Sequence, residues 1–172
     1  MNNKVERKLT WYLRHAPSNV DEAGWKSIIE TIKFLNITKS TLIDLVVKNS
    51  KQRFELHKNK IRACQGHSFG CGVTYEGLEH SWNNDIKYPI LYHRTNSSNV
   101  ASIFKEGLLA KSRTHVHCVS AINSKVGRLN GDVLIHIDPT HLTYWTASNG
   151  VVLIRYVPKQ NLHINFLEKR DE

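Results

Sequence analysis

The chain has 172 residues, a formal net charge of +9 at pH 7 and a sequence pI near 9.6. That length suits one ordinary domain or two small lobes; no apolar run approaches the roughly 18 residues of a bilayer-spanning helix, and the start MNNKVERKLT lacks the apolar core of a signal peptide. Cys64, Cys71 and Cys118, odd in number and without CxxC spacing, argue against a disulfide framework or structural zinc, and for a reducing compartment: the cytoplasm, or the nucleus in a eukaryote.

Val5, Leu9, Tyr12 and Leu13 recur at helical spacing as far as HAP, where Pro17 disfavours helical geometry for Ala16 and ends a first helix. WKSIIETIKFL puts Trp25, Ile28, Ile29, Ile32 and Leu35 on one face of a second helix, and TKSTLIDLVVKN does the same with Leu42, Leu45 and Val46 in a third. RFEL and KIRAC read as short strands around HKNK, a polar turn in which Asn59 tolerates left-handed geometry. Three helices followed by a hairpin outline a winged-helix module. Residues 70 to 88, polar and containing Gly, Asn and Asp, read as a crossover. Beyond it PILYH, THVHCVS, DVLIHID, GVVLIRYV and LHINFL are strand-like, with one helix, SNVASIFKEGL, closed by Gly107. The expected class is α+β, with residues 1–85 as one lobe and 86–172 as a mostly β second lobe.

Both halves are basic: residues 1–85 carry 13 Lys and Arg against 9 Asp and Glu, and residues 86–172 carry 11 against 6. A basic solvated surface is the plain explanation, but charge in both halves suits a shared polyphosphate ligand better than one basic tail does.

The stretch NKIRACQGHS gathers Lys60, Arg62, Gln65, His67 and Ser68 around Gly66. A planar guanidinium binds phosphate bidentately, and a glycine turn can aim backbone N–H groups at an anion, so this strand end is expected to meet phosphate. Arg53, the first residue of RFEL, belongs to the same basic set. Arg14 and His15 close the first helix, where either a structural bond to the last free carbonyls or a role beside Arg62 is open. His115 and His117 alternate along THVHC, but no third ligand at metal spacing accompanies them, so no metal site is expected. For His93, in YHRT, the residues alone do not choose a role. Arg128 stands in the loop KVGRLNGD, and SNGV at 148–151 reads as a turn with Asn149 and Gly150 suited to positive φ. The chain has no GxGxxG, Walker loop, HExxH or GxSxG. Its second half holds few acids, namely Glu106, Asp132, Asp138, Glu168, Asp171 and Glu172, so a carboxylate general base is hard to place.

Taken in order, LRHAP, GW, KQRFEL, IRACQGHS, YHRT, IFKEGL, RTHVH, VGR, DVLIHID and SNGVVL resemble the RNA 2′-phosphotransferase family from about residue 9 to residue 158. The resemblance implies a winged-helix lobe and an ADP-ribosyltransferase-like lobe, with the active site in the cleft between. It also implies NAD as co-substrate and a two-step reaction. An internal RNA 2′-phosphate, as left at a tRNA splice junction, attacks the nicotinamide ribose and expels nicotinamide; the ribose hydroxyl then attacks that phosphate, releasing RNA with a free 2′-OH and ADP-ribose 1″,2″-cyclic phosphate.

The family's catalytic Arg, His, Arg, Arg set falls on Arg14, His15, Arg62 and Arg128. Counting back from DVLIHID puts Arg128 in the fourth place; counting from the glycine puts Leu129 there. The resemblance assigns NAD contacts to His93, Arg94, Thr95, His117, Ser120 and Asn149, with Arg94 standing where the family has glycine. Arg53, Lys60, Gln65, His67 and Ser68 are expected at the RNA phosphate. A phosphate nucleophile is already anionic, so the first step needs no base, and Arg forks suit the charge that grows on a phosphoryl group in the second. His15 is a candidate clamp or proton donor. Two rivals stand: an ADP-ribosyltransferase acting on terminal phosphates or protein, and a non-enzymatic winged-helix nucleic-acid-binding protein. A monomer is expected.

Overall fold

Leu9 and Leu13, fully buried, with Tyr12 at 7% exposure, form the inner face of helix α1 (Asn3–Arg14). The computed structural model describes residues 3–17, 20–128 and 130–167. Its chain divides into two compact units, Met1–Trp82 with Ser112–Thr114, and Asn83–Lys111 with His115–Glu172.

In the first unit the second helix starts later than its periodicity predicts. Lys26–Ser27 form a short strand β1, and helix α2 (Ile28–Leu35) begins only after Ser27, whose hydroxyl accepts from the Glu30 N–H at 3.4 Å. Trp25 therefore lies outside the helix, and Ile29 is 59% exposed instead of facing the core. The cap and strand pairing override the apolar period. Helix α3 (Lys39–Val47) is capped by the Thr38 hydroxyl. Strands β2 (Phe54–His57) and β3 (Lys60–Ala63) pair antiparallel with β1 on the far side of β3, giving a three-stranded sheet where a hairpin was expected. At the hairpin turn the left-handed residue is Lys58, φ 52°, not Asn59. The Asn59 carbonyl instead accepts from the Ile28 N–H at 2.9 Å, tying the turn to the start of α2.

The stretch read as a crossover is packed structure. A 3₁₀ turn over Phe69–Cys71 leads to helix α4 (Tyr75–His80), capped by the Thr74 hydroxyl on the Gly77 N–H at 3.0 Å. Cys71, Val73, Leu78 and Trp82 are all buried, too few and too widely spaced among polar neighbours to make a visible period. Gly77 lets α4 approach the chain backbone-first, because a Cβ there would lie 2.4 Å from the Glu22 carbonyl carbon.

The second unit contains strand β4 (Leu91–Thr95), helix α5 (Val100–Glu106), and strands β5 (Leu108–Leu109), β6 (Val116–Cys118), β7 (Val133–Ile137), β8 (Trp145–Thr146), β9 (Val152–Ile154), β10 (Tyr156–Val157) and β11 (Leu162–Phe166). All pairings are antiparallel, in the orders β11-β7-β4, β6-β9-β8 and β10-β5, and a bridge between Tyr92 and Val119 links the first two sheets. Their facing residues, among them Leu91, Val133, Ile135, Val152 and Ile154, build one core. GVVLIRYV, read as one strand, breaks at exposed Arg155, so its halves join different sheets. In the turn before β9, Gly150 takes positive φ (81°) and Asn149 does not. The class is α+β, as expected.

Candidate active site

Arg14 is the last residue of α1 and is 8% exposed. Its helix end is held by Lys26, itself 1% exposed, whose ammonium donates to the Tyr12 carbonyl at 2.5 Å and the Ala16 carbonyl at 3.4 Å and lies over the Tyr12 ring. A charge this deep is costly unless a fixed oxygen cage meets it. Here helix carbonyls do so, and they fix where Arg14 and His15 project.

The turn after β3 closes on the same helix end. The Ser68 N–H donates to the Arg14 carbonyl at 3.0 Å, and the Arg14 guanidinium donates to the Gln65 amide oxygen at 3.4 Å. Gly66, φ 89°, lies directly against Arg14: a Cβ there would sit 3.0 Å from the guanidinium carbon. Burial, then the charges of Arg113 and Arg53, lower the Arg14 pKa to about 10, so it remains a cation at neutral pH. No ion pair to Arg14 forms among the described residues, and its Nε is buried without a hydrogen-bond partner. His15 Nδ1 lies 3.3 Å from the Ser68 hydroxyl. Burial, Arg14 and Arg113 hold its pKa below the usual imidazole value, so the resting ring is neutral.

His67 sits at the centre of this group. It is fully buried, both ring nitrogens lack partners, and a Cβ on Gly24 would meet its Nε2 at 2.6 Å. Burial first, and then Arg14, Arg62, His15 and Lys26, push its pKa down to about 3. Since the folded value lies below the unfolded 6.5, the unfolded chain takes up a proton that the folded one refuses, and stability falls as pH drops from 6.5 toward 3. His67→Gln is expected to flatten this slope. Urea unfolding at pH 7 and pH 4.5 should show the wild type losing about 2–3 kcal/mol more than the variant; equal losses would mean that His67 is protonated in the folded state.

Arg62 is 4% exposed on β3. Its Nη2 donates to both Glu55 carboxylate oxygens at 3.2 and 3.1 Å, its Nη1 donates to the Ala23 carbonyl at 3.3 Å, and its plane covers Trp25 at 4.6 Å. Its Nε is buried and unpartnered. Arg53 pairs with Glu6 at 2.9 Å, and Lys60 pairs with Asp21 at 3.2 Å at an exposed position. The structure thus gathers Arg14, His15, Arg62, Gln65, His67 and Ser68, while Arg53 and Lys60 are engaged by carboxylates.

In the second unit His93 Nδ1–H donates to the His117 carbonyl at 2.8 Å, which leaves Nε2 as the acceptor of a neutral ring. Burial lowers its pKa; the His117 carbonyl opposes this, and the Arg128 charge adds to it. Thr95, 4% exposed, accepts from Asn99 at 3.0 Å. Arg128 is exposed and donates to the Asn96 side chain at 3.0 Å and to the Asn130 carbonyl at 2.7 Å. Arg94 is half-buried on β4, and Gly131 leaves room for it, since a Cβ there would lie 3.1 Å from Arg94 Cγ. Ser120 is exposed just past the Val119 bridge, and Asn149 is buried in its turn with its side-chain oxygen accepting from Val151 at 3.4 Å. Leu129 lies outside the described residues, as do Glu168, Asp171 and Glu172.

Arg113 escaped sequence reasoning. Residues 112–114 return to the first unit, where the Thr114 N–H donates to the His67 carbonyl at 3.0 Å, and the Arg113 charge acts on both Arg14 and His15. Its only signal was its place at the head of RTHVH.

Comparison with known proteins finds relatives over most of the chain. The model of the family described as "RNA 2′-phosphotransferase, Tpt1 / KptA family" matches residues 1–156. The chain is 32% identical to a "Probable RNA 2′-phosphotransferase" of Trichormus variabilis, over 94% of this chain and 95% of that protein. It is 31% identical to proteins of the same description from Rhizobium leguminosarum bv. trifolii, over 94% of each chain, and Pyrobaculum aerophilum, over 94% of this chain and 81% of that one. With a family match over most of its length and relatives covered nearly end to end, this chain belongs to the RNA 2′-phosphotransferase family.

Proposed function

We propose that the protein removes an internal 2′-phosphate from RNA, of the kind left at a tRNA splice junction, using NAD as co-substrate. The observation that carries this reading is the buried cationic cluster. Arg14 has no anionic partner among the described residues, and Nε of Arg14, Nε of Arg62 and the single N–H of the neutral His67 ring are buried without a hydrogen-bond partner. Buried donors and charges left open in this way call for an anion to satisfy them, and a phosphate monoester supplies enough acceptor oxygens.

In this reading the first unit is the winged-helix-like, RNA-facing lobe and the second the ADP-ribosyltransferase-like, NAD-facing lobe. NAD supplies an electrophilic ribose carbon and a leaving nicotinamide. Arg14 and Arg62 orient the attacking phosphate and later hold the charge on its oxygens. Glu55 keeps the Arg62 plane fixed, so little reorganisation accompanies binding. A bound dianion would oppose the depression of the His15 pKa by Arg14 and Arg113, favouring proton uptake where the RNA oxygen departs. His93 and Thr95 are suited to NAD, as a neutral imidazole acceptor and a buried hydroxyl, and Arg128, the fourth member of the catalytic set, offers a guanidinium held beside β4.

Incubating the purified protein with NAD and an oligoribonucleotide carrying an internal 2′-phosphate is expected to give nicotinamide and dephosphorylated RNA in equal amounts. Nicotinamide release with the phosphate retained would point to the ADP-ribosyltransferase rival, and no NAD-dependent change would reject the proposal.

A further inference from the structure

Helix α1 carries a second pattern besides its buried face. Lys4, Lys8, Trp11 and His15 follow one another at spacings of four, three and four residues, a stripe within a sector of about 60° on the helix surface. Arg7 flanks it. Lys4, Arg7 and Lys8 are exposed, and Trp11 is 50% exposed. From Lys4 to His15 the stripe runs about 16 Å along the helix.

Trp11 is held for stacking. Its ring lies 6.4 Å from Phe34 at 23°, and Phe34 in turn stacks on buried Tyr12 at 4.1 Å and 15°. The Lys8 ammonium lies over the Phe34 ring at 4.6 Å and donates to the Phe34 carbonyl at 3.0 Å, which fixes its position while leaving further donors. The nearest acid on the helix, Glu6, is occupied by Arg53 at 2.9 Å and Asn49 at 2.8 Å. A lone exposed tryptophan needs no explanation. One fixed on an aromatic base, aligned with three cations and ending at the candidate catalytic histidine, does.

We propose that this stripe docks the single-stranded RNA flanking the reactive phosphate, with one base stacked on Trp11 and neighbouring phosphates on Lys4, Arg7 and Lys8. Charge complementarity selects a polyanion, and continuity with His15 selects the substrate strand itself. The inference rests on the reading of the substrate as RNA. Specificity would be low, because every base has a stacking face.

The test uses fluorescence anisotropy of the full-length protein with a labelled oligouridine of about ten nucleotides, lacking any 2′-phosphate and without NAD. Trp11→Ala should weaken binding about five- to hundred-fold, with Trp11→Phe restoring most of it. Lys4→Glu with Arg7→Glu, which alters no packed side chain, should make the logarithmic salt dependence shallower by about 1.4, the contribution of two phosphate contacts to a single strand. Unchanged affinity in both variants would overturn the proposal. So would a wild type that binds a duplex as tightly, or sedimentation showing that Trp11 mediates self-association. Because no chemistry is read, the result is independent of whether the 2′-phosphate assay succeeds.

Discussion

Arg14→Ala is expected to lower kcat about 10²–10³-fold, the usual effect of deleting one preorganised electrostatic contact to a charged transition state, while its urea midpoint stays level or rises. The two halves of this expectation come from one fact. The Arg14 side chain is 8% exposed and has repulsive neighbours in Arg113 and Arg53. Its folded pKa, about 10, lies below the ordinary value of 12.5. The charged form is therefore disfavoured in the folded state at every pH below 10, at a cost on the order of 3 kcal/mol at neutral pH that fades only as pH rises through the folded value. Truncation removes that cost together with some packing of the side-chain stem. Arg14→Lys should restore little activity, because an ammonium cannot reproduce a planar fork against Gly66. A large drop in the urea midpoint of Arg14→Ala would show that the cation is satisfied within the resting protein, and the case for a missing anion would fail with it.

The legible parts of the molecule were those governed by short-range rules. The first and third helices follow their apolar spacing, and most strands of the second unit coincide with β-branched runs, since each segment buries one face against the core of its own unit. The failures share a cause. Trp25 and Ile29 satisfy a helical period, yet β1 and the Ser27 cap claim the first turn, a decision taken by pairing with Ile61 and Lys60 far along the chain. Helix α4 is invisible because its anchoring comes from Thr74 and a glycine contact rather than an apolar stripe. At the candidate site the words LRH and IRACQGHS named side chains that the fold brings together, but not their states. Nothing local announces that Lys26, seemingly a surface lysine, is 1% exposed beneath α1, that His67 is neutral, or that Arg113 returns to Arg14 from 99 residues away. Those depend on burial and on the summed field of distant charges, neither of which a sequence window contains.

Arg62→Ala should produce a loss of turnover comparable to that of Arg14→Ala, but with the opposite effect on the fold. Arg62 is tied in on several sides: to Glu55 through two oxygens, to the Ala23 carbonyl and to the face of Trp25. Its removal takes two charge-assisted hydrogen bonds from a carboxylate whose side chain is only 22% exposed. Breaking a fully buried pair by deleting one partner costs about 3–5 kcal/mol, and the partial exposure of Glu55 places the expected loss nearer 2–3 kcal/mol. The double variant Glu55→Ala with Arg62→Ala separates the roles. It removes the part-buried carboxylate together with the guanidinium that offsets it, so urea unfolding should recover much of the lost stability. Its turnover should stay as low as that of Arg62→Ala, because the guanidinium that met the phosphate is still absent. Recovery of activity along with stability would reduce Arg62 to a structural partner of Glu55, and the assignment of both arginines to the phosphate would then rest on Arg14 alone.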